Sequence, residues 1–262
     1  MIYQALSILI PVYNTPRRWL HECIESIERQ TFNNYEVVIV NDGSTNIGTL
    51  DFLERLAKKS NFNVIQRRNN RGIAYSLNEG LKNCTCELVA RMDSNDVMAR
   101  DRLNRQIQYV NTHPDISLFG TRMIYFKESK DGKKFFCGFS PVHPRVVSKN
   151  IALQNNFWFI NHATVFYKKS EILGIGGYDI STRGYAEDYE LWIRMLQRGL
   201  IIHNTPEPLF YCRKHDGLSN NFYPDIDTFL LRTRDKLRNE DDRTTSAEKL
   251  DSLFPFEGLL TT

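Results

Sequence analysis

Polar side chains stand where several apolar runs stop, and their types set the chemistry they can do. In "ARMDSNDV", residues 90–97, Asp93, Ser94, Asn95 and Asp96 follow the apolar run "CELVARM". Hard cations such as Mg²⁺ and Mn²⁺ take oxygen ligands, and carboxylates at a strand end supply them together with substrate phosphates. A structural alternative is that Ser94 or Asp96 caps a helix around 100–113. In "VNDGST", Asp42 precedes Gly43, which makes either a plain turn or a carboxylate offered to an N–H on a nucleobase edge. Tyr13 and Asn14, after the first apolar run, add a stacking ring and a polar contact. In "YAEDYELW", Glu187 and Asp188 occupy the first turn of a helix, where the macrodipole favours carboxylates. Placement there is either merely favourable or that of a general base for a hydroxyl nucleophile. A base held by a helix N-terminus should be weak, taking the proton only as the new bond forms. Arg213 and His215 in "YCRKHDGLS" follow the last strand and could reach phosphates or a metal.

The elements that must position these groups alternate in the first half. "LSILIPV" is a β-branched strand, and "NTP" supplies an N-cap and a proline at the first helical position. Leu20, Cys23, Ile24 and Ile27 form the buried stripe of the following helix. "YEVVIVNDGS" is a second strand, followed by a helix near 47–60, a strand "NVIQ", a helix over 72–83 and a fourth strand, "CELVARM". Such βαβαβαβ alternation predicts an α/β fold with a parallel, doubly wound sheet, whose ligands bind beyond the carboxyl ends of the strands. "PVYN", "NDGS" and "DSND" therefore converge on one rim. The second half is less regular. "DISLFGTRMIYF" and "KKFFCGF" read as strands around a polar turn. "HATVFYKKSEILGIGGYD" reads as a strand, a short helix and a glycine turn. "YAEDYELWIRMLQRG" is a helix closed by Gly199, and residues 201–211 form a strand.

The bulk numbers bound the function. A chain of 262 residues, 41% hydrophobic and 25% charged, has globular composition. A formal charge of +3 gives no argument for a nucleic-acid partner. No run approaches the roughly 18 apolar residues of a transmembrane helix. The N-terminus lacks a basic signal-peptide region, and five cysteines without paired CxxC spacing predict a cytoplasmic chain without a disulfide framework. There is no GxGxxG after the first strand, which disfavours a dinucleotide cofactor.

Taken in order, "SILIPVYN", "SIERQTFNNYEVVIVNDGST", "NNRGIAYSLNEGL", "LVARMDSNDV" with Arg102 after it, "HATVFYKK", "IGGYD", "EDYELWIRM" and "YCRKHDGLS" resemble a family 2 glycosyltransferase of the GT-A fold, over about residues 5–220. The resemblance implies a mostly parallel Rossmann-like sheet in a catalytic domain over 1–222. Residues 1–115 would be the nucleotide-binding half and 116–222 the acceptor and base half, with a helical tail over 223–262. It implies that Pro11, Tyr13, Asn14 and Asp42 hold the nucleotide base, that Asn70, Arg71 and Asn78 flank base and donor sugar, and that Asp93 and Ser94 approach the ribose. Asp93, Asn95, Asp96 and His215 are the candidate ligands for Mn²⁺ or Mg²⁺. Asp188 would be the catalytic base with Glu187 beside it. His162, Gly176, Gly177, Trp192 and Arg213 would line the sugar and acceptor pocket, Arg213 and His215 closing over the diphosphate. The implied reaction is a single inverting displacement on a nucleotide sugar, commonly a UDP-hexose. The acceptor would be a saccharide on undecaprenyl diphosphate, in bacterial surface polysaccharide synthesis. Two rivals stand beside it: a nucleotidyltransferase, for which "PVYNTP" lacks a phosphate-cradling glycine, and an inactive scaffold subunit, suggested by Asn95.

A lipid-linked acceptor would bring the enzyme to the inner face of the cytoplasmic membrane. A basic amphipathic helix over 226–238 would carry Ile226, Phe229, Leu230 and Leu237 on one side. It can either lie on an anionic interface or pack on the catalytic domain. "SLFPFEGLL" could dock on that domain, on lipid, or on a second subunit in a homodimer.

Overall fold

Continuous β-branched runs build the centre of the molecule. In the computed structural model, which describes residues 2–154, 159–182 and 186–215, β1 (Leu6–Val12) and β2 (Tyr35–Asn41) are buried over most of their length. They pair in parallel, with Ile8 opposite Val37 and Ile10 opposite Ile39. Burial on both faces is what an unbroken apolar strand requires. β3 (Phe62–Gln66) joins β2, and β4 (Leu88–Arg91) joins the other side of β1, all in parallel. The crossovers are α1 (Arg17–Glu28), α2 (Ile47–Leu56) and α3 (Ile73–Asn83).

The second half adds to the same sheet. β5 (Val97–Met98) precedes α4 (Arg102–Thr112). Then follow β6 (Leu118–Glu128), β7 (Lys134–Phe139), β8 (Val146–Val147) and α5 (Lys149–Gln154). A 3₁₀ turn over His162–Thr164 leads into β9 (Phe166–Lys168), α6 (Lys169–Gly174), α7 (Glu187–Gln197) and β10 (Ile202–Arg213). The strand order is β3-β2-β1-β4-β9-β6-β10-β5, with β7 on β6 and β8 on β10. β9 is antiparallel to both β4 and β6, so β6 and β10 run in the direction of β1 and their ends reach the same rim. One core packs α1, α2 and α4 on one face of the sheet, through Leu20, Leu53, Leu103 and Ile107. The other packs α3 and α7 through Leu77, Leu81, Leu191 and Trp192.

Three local expectations are corrected. "NTP" does not cap α1 as expected: Pro16 stands at the cap position instead of the first helical one, without a side-chain bond, and Asn14 is used elsewhere. Neither Ser94 nor Asp96 caps α4, because β5 intervenes and Asp101 holds the cap position. The helix expected over 47–60 ends at Leu56. β5, β8 and α5 were not expected; two-residue strands are too short to show a period. The amphipathic helix at 226–238 and "SLFPFEGLL" lie outside the described residues. Among the described residues no helix is long and apolar enough to cross a membrane.

Candidate active site

Three loops at the carboxyl ends of β1, β2 and β4 are tied together by side chains. Asn14, at a positive φ of 49°, accepts from the backbone N–H of Thr45 at 2.7 Å and of Asn46 at 3.0 Å. Asn46 in turn caps α2 by accepting from the N–H of Thr49. Asparagine is among the few non-glycine residues at ease in this left-handed region. Thr15 and Ser94 share a hydroxyl hydrogen bond of 2.6 Å, which joins the β1 and β4 loops. Ser94 is buried, so its side chain fixes the loop rather than meeting a ribose.

Asp42 is buried, and its carboxylate is oriented by three donors. Oδ1 accepts from the Arg71 N–H at 2.9 Å and the Arg67 guanidinium at 3.0 Å, and Oδ2 from the Gly72 N–H at 2.8 Å. Oδ2 has this one protein partner, which leaves it a lone pair for a base-edge N–H. Gly43, at φ 73°, lets this loop approach the next: a Cβ there would sit 2.5 Å from the carbonyl carbon of Asn69. Tyr13 is exposed at the same corner, and Asn70 and Arg71 are exposed beside it, with Arg71 over the Tyr75 ring at 4.0 Å. Pro11 is half-buried at the end of β1.

At the end of β4, Arg91 is buried and grips Asp93 through both terminal nitrogens, at 2.6 and 2.8 Å. Such forked pairing fixes the carboxylate plane. Asn95 Nδ2 lies 3.0 Å from His215 Nε2, and the His215 ring stands 5.0 Å from that of Trp19. Asp93, Asn95 and His215 thus share one corner, with a carboxylate, an amide and an imidazole. Asp96 turns away: it is buried, and its Oδ1 accepts from the Arg213 N–H at 2.7 Å. Arg213 is corrected most strongly. Its guanidinium is buried, donates to the Asn95 carbonyl at 2.9 Å, and pairs with Glu128 and Glu22. The Trp19 and Phe126 rings lie 5.2 and 4.7 Å from it. With each nitrogen engaged, Arg213 pins the loop from behind and offers nothing to a phosphate.

The base corner is built on α7. Ala186 takes the left-handed conformation at its N-cap, φ 50°, an uncommon state for alanine. Asp188 Oδ1 accepts from the Tyr189 N–H at 2.8 Å. His162 Nδ1 lies 3.7 Å from Glu187 and 3.8 Å from Asp188, and its Nε2 is 2.9 Å from the Tyr178 hydroxyl. Burial pushes Glu187 up to about 8, aided by the charge of Asp188. Burial likewise lifts Asp188 to about 6, against the opposing pull of the Tyr189 N–H and of Arg91. The weak base expected from the helix N-terminus is therefore corrected: desolvation outweighs the helix. Burial, with Arg91 second, holds His162 well below the usual imidazole range, so it is neutral at pH 7. His162 belongs with the carboxylates. Trp192 is buried in the core and meets His162 edge-on at 5.7 Å; it backs the site and lines no pocket.

The glycine turn joins this corner to the nucleotide side. Asn78 bonds the Tyr178 backbone twice, donating to its carbonyl at 2.7 Å and accepting from its N–H at 2.8 Å. Gly177 is at φ 72°, and a Cβ there would meet Asn78 Oδ1 at 2.4 Å. Arg194, paired with Glu190, donates to the carbonyls of Ile175 and Gly177. Gly176 is exposed on this turn. Sequence reasoning missed Arg91, Arg194 and Tyr178. Only Arg194 carried a signal, its i,i+4 spacing from Glu190.

Comparison with known proteins agrees with this architecture. The Glycosyl transferase family 2 model matches residues 7–171. The chain belongs to that family. The amylovoran biosynthesis glycosyltransferase AmsE of Erwinia amylovora is 32% identical over 216 residues, 82% of this chain and 78% of its own. The UDP-Gal:alpha-D-GlcNAc-diphosphoundecaprenol beta-1,3-galactosyltransferase of Escherichia coli is 28% identical over 207 residues, 78% of this chain and 72% of its own. The crystal structure of S. aureus TarS 1-349 in complex with UDP superposes with a TM-score of 0.69 at 20% identity, covering 90% of this chain and 66% of that one. The glycosyltransferase thus has the GT-A fold, and the nucleotidyltransferase and inactive-scaffold alternatives give way to an enzyme of this family. The family match ends before Glu187 and Asp188, so their roles rest on the geometry alone.

Proposed function

We propose that the enzyme transfers a hexose, with inversion, from a UDP-sugar to a hydroxyl of a lipid-linked saccharide during cell-surface polysaccharide synthesis. The observation that carries this reading is the pairing of two corners on one rim through Arg91. That cation grips Asp93 directly and pulls electrostatically on Asp188. A nucleoside diphosphate held near Asp93 would then have its leaving bond within reach of a base on α7. Asp42 accepts from the base edge, and Tyr13 covers the ring.

Asp93 and Asn95, with His215, fit a hard divalent cation such as Mn²⁺ or Mg²⁺: a carboxylate, an amide oxygen after rotation of the side chain, and a ring nitrogen. One negative charge is too few for tight binding alone, so the diphosphate oxygens would have to supply further ligands. When bound, the cation supplies charge neutralisation of the departing diphosphate. Asp188 accepts the proton of the acceptor hydroxyl as that oxygen attacks the anomeric carbon, and one displacement inverts that carbon. Neutral Glu187 can donate a hydrogen bond, and neutral His162 lies beside both carboxyl groups, 3.7 and 3.8 Å away. The names of the AmsE and galactosyltransferase relatives support the polysaccharide and lipid-linked acceptor classes.

The test is Asp188→Asn, assayed with a panel of nucleotide sugars and lipid-linked acceptors. Transfer should fall by about 10²–10⁴-fold, the usual contribution of a general base, while UDP binding by calorimetry stays near wild type. Substantial remaining transfer removes Asp188 from the role of base.

A further inference from the structure

Large apolar side chains exposed to solvent are concentrated in one place. Of nine among the described residues, four fall between 135 and 142: Phe135, Phe136, Phe139 and Val142, at 53, 65, 45 and 63% exposure. They lie on and just after β7, which pairs with β6 alone. In the hairpin register Phe135 stands opposite Lys127 and Phe136 opposite Phe126. Adjacent strand residues face opposite ways, so the two phenylalanines project from opposite faces of the ribbon. A flat protein partner covers one face of a ribbon. A medium that surrounds the ribbon covers both.

The charges fit the same medium. Lys127, Lys130, Lys133 and Lys134 flank the aromatics, and Lys214 lies over the Tyr125 ring at 4.0 Å. The acidic residues among them are engaged, Glu128 by Arg213 and Arg18, Asp131 by Ser129 and Lys133, and Glu22 by Arg213 and Lys134, which leaves Lys127, Lys130 and Lys214 as the surplus. A basic surplus around exposed rings suits the headgroup region of an anionic bilayer, where rings sit at the interface and lysines reach phosphates. Location adds to this. Glu128, at the root of the turn, grips Arg213, which holds the carbonyl of Asn95. The hairpin tip therefore stands at the rim of the cleft, beside the diphosphate corner.

We propose that the β6–β7 hairpin docks the enzyme on an anionic phospholipid surface, turning the mouth of the cleft toward acceptors carried on lipid. This deepens the proposed acceptor class and rests on it. The experiment is sedimentation of the full chain with phosphatidylglycerol/phosphatidylcholine vesicles and with phosphatidylcholine alone, at low and high salt, for wild type and Phe135→Ser/Phe136→Ser. Wild type should bind the anionic vesicles and lose binding with salt. The double variant should partition at least about tenfold more weakly, the scale of two partly buried rings. UDP binding should be equal in both proteins. Wild type that ignores anionic vesicles, or a variant that binds them equally, overturns the proposal. A variant that instead shifts from dimer to monomer on a sizing column overturns it in favour of a second copy. Failure to sediment with donor hydrolysis intact removes the docking surface and leaves the proposed activity standing. Vesicle binding without transfer to any lipid-linked saccharide does the reverse.

Discussion

Two influences oppose each other at Asp188. The first turn of α7 and the Tyr189 N–H favour its charged form, while burial disfavours it, and burial wins by enough to bring the group to about 6. A carboxylate tuned toward neutrality is a better proton acceptor than a solvated one and is still ionised at pH 7. Transfer should therefore rise with pH through about 6 and level off above it, since below that pH the carboxyl already holds the proton it must receive. A kcat/KM profile at saturating metal checks this; a profile flat between pH 5 and 8 would contradict it. At this scale the sequence was legible where a residue acts through its position along the chain. Asp93 and Asp188 announce themselves as carboxylates after an apolar run and at a helix start. Arg213 misled because its type suits phosphate equally well. What decided its role was Glu22 and Glu128, distant in sequence and without a local pattern. Arg91 looked like part of a strand for the same reason.

The glycine turn shows how elements share one constraint. Asn78 reaches it from α3 and Arg194 from α7, and Gly177 leaves room for the first. Asn78→Ala removes both bonds to Tyr178 and should cost about 2 kcal/mol. That corresponds to about 4–8 °C in Tm for a chain of this size. Because Tyr178 also contacts His162, KM for the acceptor should rise as well; an unchanged melting curve would show that the turn is held by other means. The alternating first half was readable because helices and strands of ordinary length carry their periods openly. α2 ended early, and β5, β8 and α5 went unseen, because pairing with β10 and packing against α7 are tertiary facts. The cap expected in "NTP" failed likewise: Asn14 found donors on the neighbouring loop, and Pro16 took the cap position.

Burying Glu187 and Asp188 together has a consequence for the stability of the whole molecule. A carboxyl whose folded pKa is raised contributes stability fully below its unfolded pKa and loses it as pH climbs to the folded value. For Glu187 that window runs from its ordinary value of 4.5 to about 8. Glu187→Gln keeps the shape without the charge, so its Tm advantage over wild type should be absent near pH 4.5 and grow up to about pH 8. Scanning fluorimetry at a series of pH values measures the difference directly, and an advantage that shrinks with pH would reverse the assigned sign. The sheet carries a different consequence. β9 lies between β4 and β6, so the edge of β4 cannot close until residues 166–168 have left the ribosome. A nascent chain that already holds β1 to β4 therefore waits with an unsatisfied strand edge. Long-range closure of this kind slows folding and exposes the intermediate to aggregation. Expression at low temperature or with extra chaperone should help this protein at the stage of synthesis, before any ligand is met.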